Sequence, residues 1–579
     1  MREQSHTVDL CVVGGGLAGM CTAVAAARHG AKVALIQDRP VLGGNASSEI
    51  RMWICGAHGE NRRETGLVEE LHLENNYRNP ESSISVWDSV LYQFVRFQPG
   101  LELYLNCTVT AATMEENRIA SVSAWQMTNE TRHTFYAKIF ADCSGDSILA
   151  PMTGAEWRIG REARFEHNED IEPEKADRKT MGMSCLLQVR EMPHPVKYTP
   201  PKWARKFERD EDLPLRDHGF KGTSNFWWIE LGGEDDVLHD AEELRDRLLP
   251  IVFGVWDHVK NHGDHGAENW TLDWVGFLPG KRESRRYVGD YTLTQNDVRA
   301  EGRFDDLIAY GGWTMDDHNP GGFNYPGAPT IFHPAPSPFG IPYRCIYSRN
   351  VCNLMFAGRN ISVSHAALSA TRVMATCATL GQAAGTAAAI AVRNGEMPRD
   401  VYDKHIDELK QALMDDDAWL PFNARAVPQL SLEAKLSASE GEPEPLRNGI
   451  DRPWDGKENA WSCEKGGYVE YVFSQEKSIS LARIVFDSDL NRKGVVEKYN
   501  IVSNYPLDLP TRHTPCTLVK AFRIETLDAS GKWNVVVREA CNYQRLVKVP
   551  LNAKAFGVRL VLEDTWGEER CRIFAFDVR

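Results

Sequence analysis

Val12-Val13-Gly14-Gly15-Gly16-Leu17-Ala18-Gly19 decides the fold of the N-terminal part of this 579-residue chain. The stretch follows an apolar run (8–13) and precedes an alanine-rich segment (20–29) of helical character. A strand that turns through Gly14, Gly16 and Gly19 into a helix presents backbone N–H groups and the positive helix end to a pyrophosphate. The third glycine permits close packing of the helix on the strand. The sequence therefore predicts a dinucleotide-binding α/β domain.

A second apolar strand is predicted at 32–36, and it ends at Gln37 and Asp38, about 20 residues beyond the glycines. At this point of a dinucleotide fold an acidic side chain accepts hydrogen bonds from the ribose hydroxyls. Gln37 stands where the acid is usual. The ribose contact therefore falls to its amide oxygen or passes to Asp38.

The composition is that of an acidic globular protein with room for a large core. Hydrophobic residues make up 42% of the chain, and the formal net charge is -15. Since no basic tract is present to neutralise phosphates, we expect no nucleic-acid partner. No run of about 18 uninterrupted apolar residues occurs, so we expect no membrane insertion.

The first strand begins too close to Met1 to leave room for a signal peptide, which predicts a cytoplasmic protein, or a periplasmic or secreted one if a leader is removed. The 13 cysteines are odd in number and include no Cys-x-x-Cys pair. This usage favours reduced thiols over a disulfide framework or a zinc site.

Changes of pattern along the chain predict several domains. Helices and strands alternate over 1–165, tryptophan and proline become frequent over 166–344, and a strand and an alanine- and glycine-rich helix follow over 345–414. We interpret 166–344 as an inserted α+β substrate domain and 345–414 as a return to the nucleotide domain. Residues 415–445 are predicted to be a linker, and the turn-bounded strands of 446–579 predict an antiparallel β-sandwich of jelly-roll type.

The individual elements are predicted from apolar periodicity and turn residues. The small residues Gly381 and Gly385 are expected to let the long helix pack tightly on the sheet. The predicted helices are 65–75, 85–97, 241–258 and 371–393, and the predicted strands of the first two domains are 101–106, 108–113, 119–125, 135–143, 181–189 and 225–231.

Five motifs in order along the chain carry a family resemblance. Together they resemble the FAD-dependent oxidoreductases called FAD-oxidored, which belong to the glutathione-reductase-like flavoproteins, alongside the flavoprotein subunits of succinate dehydrogenase and fumarate reductase. The resemblance implies a Rossmann-like FAD-binding domain. The motifs are Gly14 to Gly19, Gly43-Gly44-Asn45, Ala141-Asp142-Cys143-Ser144-Gly145-Asp146, Ala357-Gly358-Arg359, and Arg372-Val373-Met374 ahead of Gly381-Gln382-Ala383-Ala384-Gly385.

The same resemblance implies FAD as cofactor and assigns its contacts. The Gly358-Arg359 turn and the helix start near Arg372 are expected beside the pyrimidine end of the flavin, where a positive helix end stabilises negative charge on the reduced ring. The implied cofactor residues are Gly14, Gly16, Leu17, Ala18 and Gly19 at the pyrophosphate, Gln37, Asp38 and Arg39 near the ribose, Gly43, Gly44 and Asn45 along the cofactor, Val109 at the adenine, and Ser144, Gly145, Asp146, Gly358, Arg359, Arg372 and Val373.

Histidines and arginines supply the candidate catalytic groups. His365, six residues after Arg359, is predicted to be a general base that removes a hydroxyl proton as hydride passes to flavin N5, or else a histidine hydrogen-bonded at a helix start. For His58 three interpretations stay open: it faces the flavin, it is a covalent attachment point for the flavin, or it is a structural or surface histidine. Arg51 and at least one of Arg282, Arg285 and Arg286 are candidates to anchor the substrate, with Tyr343 and Arg344 as further pocket candidates.

Aromatic residues of the substrate domain point toward sugars or toward ordinary core packing. The tryptophans concerned are Trp227, Trp228, Trp270, Trp274 and Trp313. The C-terminal segments around Asn448, Trp461 and Tyr468 resemble a discoidin-type, carbohydrate-binding-module-like sandwich. No metal is predicted, because His262, His265, His318 and His333 have no recognisable ligand spacing.

The resulting hypothesis is an FAD enzyme that oxidises a secondary alcohol of a carbohydrate or polyol, with a sugar or glycoside as small-molecule substrate and an electron acceptor that the sequence does not name. Three alternatives stay open: a dicarboxylate or enoate redox enzyme, a flavin-dependent isomerase or lyase that acts through a keto sugar, and a non-catalytic glycan-binding flavoprotein. A homo-oligomer also stays open.

Overall fold

The glycine-rich stretch joins the first strand and the first helix of a mixed sheet in a computed structural model that describes residues 1–579. The strands are β1 (Arg2–Val13), β2 (Val33–Ile36), β3 (Leu101–Tyr104), β4 (Cys107–Glu115), β5 (Arg118–Gln126) and β6 (Thr131–Asp142). Their order is β3-β2-β1-β6-β5-β4, and the strand Leu354–Phe356 pairs with β6. β1 runs parallel to β2 and β6, whereas β4, β5 and β6 form an antiparallel meander. The predicted nucleotide-binding fold is confirmed.

The helices predicted at 20–29, 65–75, 85–97, 241–258 and 371–393 are present with ends that differ by a few residues, and the chain forms further helices as well. They are α1 (Leu17–Arg28), α2 (Leu67–Arg78), α3 (Ile84–Arg96), α4 (Ala150–Thr153), α5 (Arg164–His167), α6 (Ala241–Asn261), α7 (Gln295–Arg299), α8 (His365–Thr371), α9 (Met374–Asn394), α10 (Pro398–Asp415), α11 (Gln429–Glu433) and α12 (Val495–Lys498).

Helices α1 and α9 pack with their backbones in close approach. A Cβ atom added to Gly381 would lie 2.1 Å from the carbonyl oxygen of Ala18, and one added to Gly385 would lie 2.1 Å from that of Thr22. The sequence predicted that these two glycines pack on the sheet. In the structure they face α1, and their lack of side chains lets the two helices touch. α9 has the length and hydropathy of a membrane span, and 94% of that window is buried inside the protein, as in a core helix.

The inserted region is made of short strands around α6. The later strands of the first half are β7 (Trp157–Arg158), β8 (Met183–Ser184), β9 (Leu187–Glu191), β10 (Glu230–Leu231), β11 (Trp270–Val275), β12 (Gly280–Lys281), β13 (Arg286–Tyr287), β14 (Leu307–Gly311), β15 (Met315–His318), β16 (Thr330–His333), β17 (Phe339–Pro342) and β18 (Leu354–Phe356). Leu248, Val252 and Trp256 of α6 lie in the core of this region, together with Phe226 and Trp228. Between β9 and β10 the only regular element is a 3-10 turn at Asp210–Asp212.

The C-terminal strands form one antiparallel seven-stranded sheet around a core that includes Trp461, Tyr471 and Phe522. They are β19 (Lys435–Ala438), β20 (Trp461–Glu464), β21 (Tyr468–Phe486), β22 (Val519–Leu527), β23 (Trp533–Glu539), β24 (Leu546–Thr565) and β25 (Arg570–Val578). The order β20-β25-β21-β24-β22-β23, with β19 on β21, agrees with the predicted sandwich. Because β19 belongs to this sheet, the segment predicted as a linker contributes a strand.

The chain divides into two compact units whose boundaries differ from those predicted. Residues 59–81 group with the C-terminal sandwich, and residues 499–511 group with the N-terminal part. Tyr505 forms a parallel bridge with Arg190, and Asn500 accepts a hydrogen bond from the Ile54 backbone at 2.8 Å, which accounts for the second grouping. The units are Met1–His58, Ser82–Leu409 and Tyr499–Thr511, and Gly59–Glu81, Lys410–Lys498 and Arg512–Arg579.

Candidate functional site

A cavity of about 590 Å³ opens at the carboxyl ends of β1, β2 and β6. This edge of a parallel sheet is where nucleotides bind in doubly wound folds. Every residue predicted to contact the cofactor lies on its wall except Gly19. The wall residues from that set are Gly14, Gly16, Leu17, Ala18, Gln37, Asp38, Arg39, Gly43, Gly44, Asn45, Val109, Ser144, Gly145, Asp146, Gly358, Arg359, Arg372 and Val373.

The start of α1 forms an anion-binding end of this cavity. Gly16 caps the helix without a side-chain hydrogen bond, and the first turn carries no acidic residue. The first N–H groups of the helix therefore point at the cavity without a helical partner. Gly14 has φ 103°, and a Cβ there would lie 2.6 Å from the Cys143 carbonyl oxygen. Gly19 serves packing instead, since its Cβ would lie 1.8 Å from the Gly14 carbonyl oxygen.

The structure bears on the choice between Gln37 and Asp38 for the ribose contact. The Gly15 backbone donates to Oε1 of Gln37 at 2.6 Å, and Nε2 of Gln37 donates to the Val41 carbonyl at 3.2 Å. The amide of Gln37 is thus occupied in holding the glycine turn. The Asp38 side chain is 55% exposed beside Arg39, so its carboxylate is the acceptor that stays accessible.

Asp146 organises the wall between the two parts of the nucleotide domain. It accepts hydrogen bonds from Arg359 at 2.6 Å and from Lys281 and Ser284 at 2.8 Å. Burial alone would raise the pKa of its carboxyl, but the charges of Arg359 and Lys281 outweigh burial and hold that pKa well below its usual range. The ionised carboxylate fixes both cations against the cavity.

Three buried guanidinium nitrogens on the wall make no hydrogen bond. They are Nη1 of Arg39, beside Asp38, and Nε of Arg359 and of Arg372. Next to Arg372, Val373 is the N-cap of α9 and makes no side-chain hydrogen bond, and the first turn of the helix carries no acidic residue. Buried unpaired donors are costly, so this part of the wall suits a ligand that offers oxygen or nitrogen acceptors. The positive helix end predicted near Arg372 lies at the cavity.

Another part of the wall, formed by Ser184, Trp227 and Arg282, is called the substrate end here. Arg282 donates to Oγ of Ser184 and to the Trp227 carbonyl, both at 2.9 Å, and its Nη1 lies 3.3 Å from Oε2 of Glu230. The Trp227 indole meets the His318 ring edge-on at 5.1 Å. Arg282 is thus the one member of the 282–286 arginine cluster on the wall.

Behind the substrate end runs a chain of charged groups that sequence reasoning missed. His318 contacts Glu230 through Nδ1 at 2.6 Å and Asp316 through Nε2 at 3.3 Å, and Asp316 binds Arg372 at 3.1 Å. The only sequence signal was the run Asp316-Asp317-His318, whereas Glu230 lies 88 positions from His318. The contact between Glu230 and His318 therefore depends on the tertiary fold.

His365 does not reach the cavity, which speaks against its assignment as the general base. Its Nδ1 lies 2.9 Å from Oε2 of Glu283, and its Nε2 lies 3.4 Å from Oδ1 of Asp317. Burial would lower the pKa of His365, but the carboxylates of Glu283, Asp317 and Glu172 outweigh burial and raise it well above its usual range. A buried imidazolium between carboxylates has no free lone pair to accept a proton.

Three other catalytic candidates also lie off the cavity wall. His58 is exposed and stacks on Trp313, with ring centroids 4.2 Å apart. Arg51 donates to Gln188 at 2.7 Å and lies over the Trp274 ring, and Arg285 reaches only backbone carbonyls at 3.5 Å. Each side chain is committed to packing or structural hydrogen bonds.

The remaining candidate residues form ion pairs and hydrogen bonds that stabilise the fold. Arg286 is buried against Glu162, and Arg344 is paired with Asp306 at 2.9 Å. The Tyr343 hydroxyl donates to the Pro398 carbonyl at 2.8 Å. Among the tryptophans, Trp227 lines the cavity, whereas Trp228 and Trp270 belong to the core.

Comparison with solved structures gives distant matches to each part of the chain. A geranylgeranyl bacteriochlorophyll reductase-like protein from Thermoplasma acidophilum is 13% identical, with a TM-score of 0.33, over 71% of this chain and 86% of that protein. Two family 32 carbohydrate-binding modules each have a TM-score of 0.19. The module of Streptococcus pneumoniae EndoD is 14% identical over 25% of this chain and 97% of its own. That of C. perfringens NanJ, in complex with galactose, is 10% identical over 26% and 94%.

No match is found among the curated proteins. The sequence matches the family described as FAD dependent oxidoreductase over residues 9–413, which is more than half of the chain. The cavity residues suit that cofactor, because the glycine turn leaves room for a pyrophosphate and the unpaired guanidinium donors call for acceptor atoms. This chain belongs to the FAD dependent oxidoreductase family, and its cofactor is FAD.

Proposed function

We propose that this FAD-dependent oxidoreductase oxidises a secondary alcohol of a carbohydrate or polyol. FAD, when bound, supplies a two-electron acceptor for the hydrogen that leaves the alcohol carbon. The observation that carries the proposal is the charge balance of the cavity wall. Each arginine on that wall is paired with an acidic side chain. The pairs are Arg39 with Asp38 and Glu49, Arg282 with Glu230, Arg359 with Asp146, and Arg372 with Asp316.

A wall of compensated charges suits a neutral substrate. Arg282 keeps N–H donors that are not used by Ser184 or Trp227, and these can bind hydroxyl oxygens. Its positive charge, in contrast, is already balanced by Glu230, which lies 3.3 Å away. A dicarboxylate would need uncompensated guanidinium groups to replace its hydration. The dicarboxylate or enoate alternative is therefore less well supported.

Trp227 supports a ring-shaped substrate. Its side chain is half-buried on the cavity wall, and its carbonyl is held by Arg282 and by Oγ of Ser184. A rigid indole that keeps an accessible face offers a flat apolar surface, and the C–H face of a sugar ring packs on such surfaces. The hydrogen-bond donors of Arg282 stand beside this surface, so apolar and polar recognition are combined as a carbohydrate requires.

We assign proton removal from the alcohol to Glu230, which lies behind the substrate end. Burial would raise the pKa of Glu230, but Arg282 and His318 outweigh burial and hold it below its usual range, so the carboxylate stays ionised. Glu230 lies 3.3 Å from Arg282 and 2.6 Å from His318. Glu230 is the member of this hydrogen-bonded series that can accept the proton of a hydroxyl bound at Arg282, because His318 lies between Glu230 and Asp316 and has no free lone pair.

Anaerobic mixing of the FAD-loaded protein with a panel of sugars, glycosides and polyols tests the proposal. We expect lasting loss of the oxidised-flavin absorbance with at least one member that carries a free secondary hydroxyl. Recovery of absorbance in chemically reduced protein on adding an enoate, with no response to sugars, would favour the dicarboxylate branch. Product without lasting bleaching would favour an isomerase or lyase, and no response at all a glycan-binding role.

A further inference from the structure

Four side chains of the inserted region converge outside the FAD cavity. Asp210, His218, His258 and His265 offer ligand atoms that all lie within 4.8 Å of one another. None of them lines the cavity. His258 lies near the end of α6, His265 follows in the next loop, and Asp210 and His218 come from the segment between β9 and β10.

The distances within this cluster are those of a small coordination sphere. Nε2 of His258 and Nε2 of His265 are 3.2 Å apart, and they lie 3.2 Å and 3.5 Å from Oδ1 of Asp210. A zinc ion bound at about 2.0–2.2 Å by nitrogen and oxygen ligands in tetrahedral geometry sets neighbouring ligand atoms about 3.3–3.5 Å apart. Three edges of the cluster therefore already have nearly the required length.

The tautomer of His258 leaves its inward nitrogen free to bind a metal. Nδ1 lies 3.1 Å from the Phe207 carbonyl oxygen, which can only accept, so Nδ1 carries the proton. Nε2 then presents a lone pair to the cluster from a fully buried ring. This carbonyl contact is the kind of support that orients histidine ligands in metal sites.

The fourth side chain, His218, approaches the cluster through Nδ1, which lies 3.8 Å from Oδ1 of Asp210. Nε2 of the same ring is buried and has no hydrogen-bond partner. Asp210 closes the cluster from the solvent side, with a side chain that is 65% exposed. An ion can therefore enter past the carboxylate and meet three imidazoles.

A glycine without a side chain, Gly263, lies beside the cluster. Gly263 has φ 81°, and a Cβ there would lie 2.9 Å from Nε2 of His265 and 3.5 Å from Oδ1 of Asp210. The segment 192–229, which carries Asp210 and His218, contains only one 3-10 turn. A long irregular segment in a compact domain needs cross-links to hold one conformation.

We propose that Asp210, His218, His258 and His265 bind one zinc ion that fastens the segment between β9 and β10 to the end of α6. Three imidazoles and one carboxylate are a ligand set suited to zinc, and four protein ligands leave no open position, as in structural sites. No regular spacing joins the four residues, which is why the sequence pattern predicted no metal. The fold supplies the convergence.

Metal analysis of the full-length protein, purified without chelators, tests the proposal. We expect about one zinc per chain by plasma mass spectrometry, and a loss to below about a tenth in Asp210→Asn and in His265→Gln. A strong chelator should lower the melting temperature of the parent protein by a few degrees but leave that of His265→Gln unchanged, because binding to the folded state alone stabilises it.

His262→Gln is the matched control. Its Nε2 lies 3.5 Å from Asp257 and outside the cluster, so this variant should keep its zinc. Bound FAD, measured by absorbance, checks that each variant is folded. The proposal is overturned if the parent protein grown with zinc carries less than about a tenth of an equivalent and gains no stability from added Zn²⁺. Another ion at full occupancy, or zinc retained by His265→Gln, would also overturn it.

Discussion

Nδ1 of His318 lies 2.6 Å from Oε2 of Glu230, and this pair links two arginines on the cavity wall. Arg282 reaches the same oxygen at 3.3 Å. On the other side, Nε2 of His318 contacts Asp316 at 3.3 Å, and Asp316 binds Arg372 at 3.1 Å. A buried network whose members are paired holds its side chains in one arrangement. The substrate end is thus pre-organised from behind.

Replacing Arg282 by lysine should impair substrate oxidation more than FAD binding. A lysine has no planar fork and cannot reach Ser184, the Trp227 carbonyl and Glu230 together. With about 1.5–3 kcal/mol for a hydrogen bond to a charged group, we expect the rate of anaerobic flavin reduction by the proposed sugar substrate to fall about 10- to 100-fold.

Arg285→Lys is the control for that change. Arg285 comes from the same sequence cluster, but it contacts only the carbonyls of Asp146 and Ser147 at 3.5 Å and lies over Trp157. Its rate should stay within about twofold of the parent, as for a surface substitution. If Arg282→Lys and Arg285→Lys slowed flavin reduction equally, the location of Arg282 on the cavity wall would not be what determines the rate.

Two glycines of the same turn are expected to serve different purposes, Gly16 in FAD binding and Gly14 in folding. Gly16 has φ -68°, and a Cβ there would come no closer than 3.9 Å to Gly44, so Gly16→Ala should fold normally. The added methyl points into the cradle and should weaken FAD binding at least tenfold, measured by fluorescence titration of the apoprotein.

Gly14→Ala is expected to act on the fold itself. Its Cβ would lie 2.6 Å from backbone atoms of Cys143 and Ser144, and φ is 103°. Overpacking and a positive φ each cost about 1–3 kcal/mol, so the apoprotein should melt at a lower temperature. A normal melting temperature in Gly14→Ala, or a lowered one in Gly16→Ala, would contradict this division.

The cofactor cradle could be predicted from sequence because it depends on local backbone geometry. Gly14, Gly16 and the Gly358-Arg359 turn act where strands end, and a strand end can be recognised from the apolar run before it. Gly19 has the packing role that the sequence predicted for the third glycine, but it does not line the cavity, so the pyrophosphate contact that the resemblance implied for it is not found.

The catalytic surroundings could not be predicted, because they depend on residues far apart in sequence. His365 has the usual appearance of a general base, but its partner Glu283 lies 82 positions away. The same holds for Glu230 with His318, and for the segment 499–511, which joins the N-terminal unit through Tyr505. Charge pairing across such separations leaves no periodic signal in a single sequence.

His365→Gln tests whether this histidine is structural. The variant takes the imidazolium away from Asp317 and leaves Glu283 with Arg286, 3.7 Å away, as its only cation; removal of one partner of a buried ion pair costs about 3–5 kcal/mol. We expect a clearly lower melting temperature and a rate of flavin reduction that changes less than tenfold at neutral pH. A 100-fold slower reduction with unchanged stability would restore the general-base assignment.

Glu172 should make the folded protein less stable as the pH rises. It is 2% exposed, and neither carboxylate oxygen has a hydrogen-bond partner. Burial raises its pKa from 4.5 to about 7, with His365 opposing the rise and Glu162 and Glu169 adding to it. The folded state therefore holds a proton that the unfolded chain has already released, so stability present below pH 4.5 is lost as the pH rises toward about 7.

Glu172→Gln removes this dependence, because an amide does not ionise. Each pH unit between the two pKa values is worth about 1.4 kcal/mol, so above pH 7 the variant should be more stable than the parent by about 3 kcal/mol, with little difference near pH 4. Urea unfolding at the two pH values measures the difference. The exposed neighbour Glu174 provides the control, since Glu174→Gln should follow the parent at both pH values. The proposal fails if the stability difference between the parent protein and Glu172→Gln is the same at both pH values. Glu172 would then be ionised in the folded state, with a nearby cation such as His365 or Arg286 balancing its charge.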